Sequence, residues 1–95
     1  MIKHYVVNGH DRYCIEFQRQ SNGTFKLYAR EHPPDPYGKP VNDNHLYASG
    51  EICVAAGYEP TTLDRAKAIA VHFMEGWSRY IRIGTFPTGA RRVTV

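Results

Sequence analysis

The sequence predicts an α+β domain, a small antiparallel sheet of about four strands with one long C-terminal helix packed across it. Three observations carry this expectation. Apolar residues alternate with polar ones through Tyr13, Ile15 and Phe17, and again through Phe25, Leu27 and Ala29, the period of a half-buried strand. Asn8-Gly9 and Ser21-Asn22-Gly23 punctuate these stretches with residues that tolerate positive φ, as hairpin turns require. Leu63, Ala66, Ala70, Phe73, Trp77 and Tyr80 then recur at three- and four-residue intervals, one apolar helical stripe. Strands followed by a helix, without alternation, define the class.

Taken in order, strands are expected near residues 3–8, 11–20, 24–31 and 51–55. The second turn can be argued from register. A two-residue Asn22-Gly23 loop would set Phe17 against Tyr28 and Ile15 against Arg30. A three-residue loop sets Phe17 against Leu27 and Ile15 against Ala29. Because a one-residue slip flips a whole face, the apolar pattern favours the three-residue loop, with Gly23 left-handed. Residues 31–44 change character. Pro33, Pro34, Pro36 and Pro40, with Gly38, Asn42 and Asn44, argue against both helix and central strand. Residues 33–44 should be the least protected backbone apart from the termini.

The helix is expected over about 62–83. Thr61 and Asp64 have capping-box spacing, and Gly84 is the stop. Arg65, Lys67, Glu75, Ser78 and Arg82 fall on its wet side, with His72 off the apolar stripe. Gly76 costs about 1 kcal/mol relative to Ala inside a helix, which signals close packing or a bend. Phe17, Leu27, Ile69, Phe73 and Trp77 should share one core. The tail at about 85–95, with Pro87, Gly89, Arg91 and Arg92, reads as loose.

Ninety-five residues make one domain, 1–95, with room for one core and one shallow site but no separate cofactor domain. Hydrophobic content of 42% with 13% aromatics argues against disorder. No apolar run approaches the ~20 residues of a membrane span, and the first residues lack a secretion signal's apolar stretch. A net charge of +3 is too small to single out nucleic acid without a clustered patch. Two cysteines build neither a disulfide framework nor a four-ligand zinc set. A cytoplasmic protein without cofactor or metal is the expectation.

Cys53 is the position of chemical interest. An Ile-Cys-Val setting suits a small buried hydrophobe. Yet Cys53 follows a Ser49-Gly50 turn and precedes a second irregular stretch, Ala55 to Pro60, so it lies near a strand edge. His45 stands eight residues upstream at the end of the Pro-rich loop. A nucleophilic thiol needs a lowered pKa or a neighbour that handles charge and protons. His45 is placed to be that neighbour if the loop folds over Cys53.

The segment His45-Leu46-Tyr47-x-x-Gly50-x-Ile52-Cys53 resembles the active-site strand of ubiquitin-conjugating enzymes, and more closely that of bacterial ubiquitin-conjugating-like proteins. A Pro-rich loop precedes it, and Trp77, Tyr80, Gly84, Thr85, Phe86, Pro87 and Gly89 resemble the family's Trp-rich helix and its aromatic-Pro ending. The resemblance covers roughly residues 24 to 89. It implies a ubiquitin-conjugating-like core, with Cys53 carrying a ubiquitin-like modifier as a thioester. The implied partners are that modifier and its activating enzyme. Aligned on Gly50 and Cys53, His45 falls where the classical family has its catalytic Asn, and Asp43-Asn44 where it has His-Pro. The oxyanion donor is then the His45 imidazole or the Asn44 amide.

Other residues offer less. Cys14 lies mid-strand, out of phase with Tyr13, Ile15 and Phe17, in a structural position. His4, His10, His32 and His72 lack the spacing of helical metal ligands. Arg79, Arg82, Arg91 and Arg92 form a basic strip of the kind that is ordinarily a solvated face; beside exposed Tyr it would suit single-stranded nucleic acid. The alternative to a thioester carrier is a non-catalytic α+β interaction module, dimeric, using the Tyr-rich sheet or the Pro-rich loop. Exposure of Cys53 discriminates between the two.

Overall fold

A computed structural model describes residues 1–86 of the chain. Three strands, β1 (Ile2–Val7), β2 (Asp11–Arg19) and β3 (Phe25–Glu31), form an antiparallel sheet in the order β1-β2-β3. A single turn of helix, α1 (Val41–Asn44), and one long helix, α2 (Leu63–Ile83), follow. The α+β class and the long helix are as the sequence predicts. The residues from Pro87 onward, with Arg91 and Arg92, lie outside the described part.

Each hairpin turn uses the residues that signalled it. Asn8 and Gly9 both have positive φ, and the His10 N–H closes the turn on the Val7 carbonyl. The second hairpin has the three-residue loop. Phe17 pairs with Leu27 and Ile15 with Ala29, while Gly23 sits at φ +87°. The register breaks between Cys14 and Ile15, where a bulge sets Glu31 opposite Cys14.

The fourth strand does not form. Only single bridges join Tyr28 to Glu51 and Leu46 to Ile52. The Ala29 N–H donates to the Gly50 carbonyl and the Ile52 N–H to the Leu27 carbonyl, both at 2.8 Å. A turn closed from the Tyr58 N–H to the Ala55 carbonyl then follows. Residues 51–55 thus extend β3's edge for one contact pair and leave, so the sheet has three strands.

One face of the sheet is sealed by α2. Tyr13, Ile15, Phe17, Leu27 and Ala29 meet Ala66, Ile69, Ala70, Phe73, Met74, Trp77 and Tyr80 in one core, which Ile52 joins. The expected core residues are all in it. The helix is capped by Thr62, whose Oγ1 accepts from the Arg65 N–H at 3.2 Å, and not by Thr61. Gly84, at φ +85°, ends it.

Of the residues assigned to the wet side of the helix, Ser78 belongs elsewhere, while Arg82 is exposed as expected. Ser78 is buried, its hydroxyl 2.7 Å from the Tyr13 hydroxyl, which also donates to the Met74 carbonyl. Arg82 forks onto buried Asp11 at 2.7 and 3.0 Å, pinning the end of α2 to the start of β2. Periodicity alone puts Ser78 outward because it is not apolar, and it shows neither the contact of Ser78 nor that of Arg82. Their partners lie more than sixty residues away in the chain.

The Pro-rich segment is tied down more than its composition suggests. The Trp77 indole N–H donates to the Pro33 carbonyl at 2.9 Å, and the Tyr80 hydroxyl to Asp35 at 2.8 Å. Lys39 donates to the Gly84 carbonyl. α1 corrects the expectation that the segment excludes helix. Pro40 stands at its N-cap, where a missing N–H costs nothing, and His45 ends it at φ +64°.

Candidate functional site

The site is a tight hairpin running from His45 to Cys53. The Gly50 N–H donates to the Tyr47 carbonyl, the Tyr47 N–H to the Glu51 carbonyl, and the Cys53 N–H to the His45 carbonyl, all at 2.9 Å. Gly50 is required here on two counts. Its φ is +93°, and a Cβ would meet the Ala29 carbonyl oxygen at 3.3 Å. Ile52 enters the core and anchors the hairpin, so the residues after it reach the protein's rim.

The register sets His45 directly across from Cys53, with Tyr47 on the diagonal, within reach of a long side chain. Cys53 is half-buried, whereas Cys14 is buried. Tyr47 is 44% exposed, and its hydroxyl titrates above the usual 10.0, first because it hydrogen-bonds to Cys53 and next because of charge on that sulfur. The Phe86 ring backs the His45 imidazole, with centroids 4.6 Å apart. Phe86 in turn covers Gly76, where a Cβ would collide with the ring. The helical glycine thus marks close packing, and the ring it admits abuts the site.

Asn44 is positioned differently from Cys53 and His45. It is 5% exposed, and its amide donates to the Lys39 carbonyl at 2.8 Å and to Asp35 at 3.2 Å. Its carbonyl oxygen accepts from the Leu46 N–H at 3.0 Å. Both donors of its amide, and its oxygen, go to fastening the loop. Asp35 is the hub of that fastening. Burial pushes its carboxyl up, but the Tyr37 N–H, the Tyr80 hydroxyl, the Gly38 N–H and the Asn44 amide outweigh burial and hold it below the ordinary value. Asp35, Tyr47 and Phe86 carry roles that sequence reasoning missed. Tyr47 and Phe86 were visible as motif letters, but Asp35 gave no signal in a Pro-rich stretch.

Shallow grooves flank the hairpin. One is bounded by Leu27, Tyr47, Ile52 and Val54, the other by His32, Leu46, Tyr47 and Trp77. Tyr47 forms the ridge between them. The basic strip is reduced, because Arg82 is engaged by Asp11. Among the described residues no helix is long and apolar enough to cross a membrane.

No protein-family model matches the chain, and comparisons with curated proteins and with solved structures returned no match. The class that fold and site define is a small α+β domain with a half-buried thiol on an edge hairpin.

Proposed function

We propose that Cys53 carries an acyl group as a thioester, in the manner of a minimal ubiquitin-conjugating-like domain whose modifier is a ubiquitin-like protein delivered by an activating enzyme. The observation that carries this reading is the hairpin itself. It presents a partly open thiol with a histidine paired across from it and an exposed tyrosine on the diagonal. The order of parts adds support: three antiparallel strands, a Pro-rich strap, the His45–Cys53 segment, then a helix bearing Trp77.

In the first step the Cys53 thiolate attacks the carbonyl of an incoming thioester. A new C–S bond forms, the old one breaks, and the donor thiolate leaves. An amine then attacks the Cys53 thioester, an amide forms, and Cys53 is released as thiolate while the amine proton passes to a base. Negative charge builds on the carbonyl oxygen in both tetrahedral intermediates. His45 and Tyr47 are the side chains that the hairpin register sets across from and diagonal to Cys53, and a donor for that oxygen would come from them. With the Asn44 amide committed to the loop, we assign the oxyanion role to His45 and leave Asn44 to hold His45's backbone in place.

Incubation with a peptide thioester of a ubiquitin-like C-terminal sequence tests the proposal. The adduct should form on Cys53, disappear with thiol reductant, and be absent in C53S, where only a reductant-resistant ester could form. H45A should slow discharge to an added amine more than it slows loading, because a transition-state donor matters most in the harder step. No adduct on Cys53 under conditions that load a free cysteine peptide would sink the reading, and the fold would then stand as an interaction module.

A further inference from the structure

Away from the hairpin, the three strands bring together side chains that no sequence spacing connects. His4 of β1 pairs with Cys14 of β2, and Cys14 pairs with Glu31 of β3. One row across the sheet therefore carries an imidazole, a thiol and a carboxylate. One ligand atom from each lies within 4.8 Å of the other two.

The bulge is what completes this row. Ile15 pairs with Ala29, so an unbroken register would place Arg30 opposite Cys14. The irregularity between Cys14 and Ile15 puts Glu31 there instead. Arg30 turns its guanidinium to Glu16 at 2.7 Å and over the Tyr28 ring at 4.3 Å. A guanidinium beside the thiol would repel a cation; the observed register replaces it with a carboxylate. Bulges commonly re-aim a side chain in this way.

From this geometry we infer that His4, Cys14 and Glu31 form a zinc site on the sheet, with a fourth position open to water. The donor set is the one that suits borderline-soft divalent ions, whereas magnesium and calcium take oxygen ligands. Zinc bonds of about 2.0–2.3 Å put tetrahedral ligand atoms roughly 3.3–3.8 Å apart. Rotamer adjustment of the exposed His4 and Glu31 closes the remaining gap, while buried Cys14 supplies the fixed point. The thiolate and carboxylate together balance the dication, and the proton lost by Cys14 passes to solvent on binding. The site is independent of the role proposed for Cys53. It gives the second cysteine a use that its strand position alone does not suggest.

Zinc competition against a chromophoric chelator, on tag-free protein stripped of metal, is the test, with cobalt as the spectroscopic probe. Wild type and C53S should each bind one equivalent, with a thiolate-to-cobalt charge-transfer band. H4A and E31Q alter exposed side chains and should keep the fold by circular dichroism, yet weaken zinc by about 100-fold or more, as loss of a direct ligand exceeds the 10–100-fold of a supporting contact. C14S should lose the band. Zinc affinity unchanged in H4A and E31Q, a band that vanishes in C53S and persists in C14S, or no stoichiometric zinc binding by the wild type would each overturn the inference.

Discussion

Asp11 and Arg82 make up a fastening between sheet and helix that is sensitive to acid. The Arg82 hydrogen bonds, opposed by burial and helped by Ser78, hold the Asp11 carboxyl below its ordinary value. A carboxyl lowered in the folded state stabilises the fold above the unfolded pKa and loses that contribution as pH falls through the folded one. Asp35 is lowered too and acts in the same direction. Tm should therefore hold down to about pH 4 and then fall, and D11N should make the fall shallower while lowering Tm at neutral pH. Tyr13 works at the other end. Burial raises its hydroxyl to about 12, so its contribution is complete below the unfolded value near 10 and is lost as pH rises toward 12. Y13F should cost about 1–3 kcal/mol at neutral pH and flatten the alkaline limb. Unchanged limbs in both variants would show that neither contact carries the linkage. None of this was legible in the sequence. A polar residue on a helix gives no sign that its partner lies on a strand seventy positions away.

At the scale of elements, legibility followed locality. The β2–β3 register could be read because only one loop length sets apolar side chains opposite each other, and the loop's own residues agree. The helix could be read from its stripe and its terminal Gly84. The fourth strand could not, because its length is decided by how far residues 51–55 follow β3's edge before the Ala55–Tyr58 turn. In the Pro-rich strap the short helix α1 and the side-chain bonds from Trp77, Tyr80 and Asn44 could not be read, because those partners are set by the fold. Cys53 and His45 were found as a motif, but their pairing appears only in the folded hairpin. Gly76 supplies a prediction at this scale. G76A gains about 1 kcal/mol of helix propensity but must displace the Phe86 ring. Tm should move little while the His45 ring resonances shift, since the Phe86 ring packs against that imidazole at a tilt of 51°. Large destabilisation with His45 unmoved would contradict the packing described.

At the scale of the whole molecule, the described residues share one core. Phe73 lies within it beside Trp77, with ring centroids 5.6 Å apart, and 6.2 Å from Phe86. F73A should cost about 3–5 kcal/mol, a large share of what so small a domain has in hand. A variant that melts with the parent would place the core elsewhere. The same core sets the chemistry. Ile52 is drawn inward, so the chain turns at Gly50 and delivers Cys53 to the rim beside Tyr47 and His45. Cys14 is held in the middle of the sheet. The division of labour between the two thiols is the central claim, and native-state alkylation measures it most directly. With a chelator present to free any metal, iodoacetamide should modify Cys53 much faster than Cys14, as read peptide by peptide by mass spectrometry. Urea should bring the two rates together. Faster modification of Cys14 in the folded protein, with Cys53 inert until unfolding, would contradict the account.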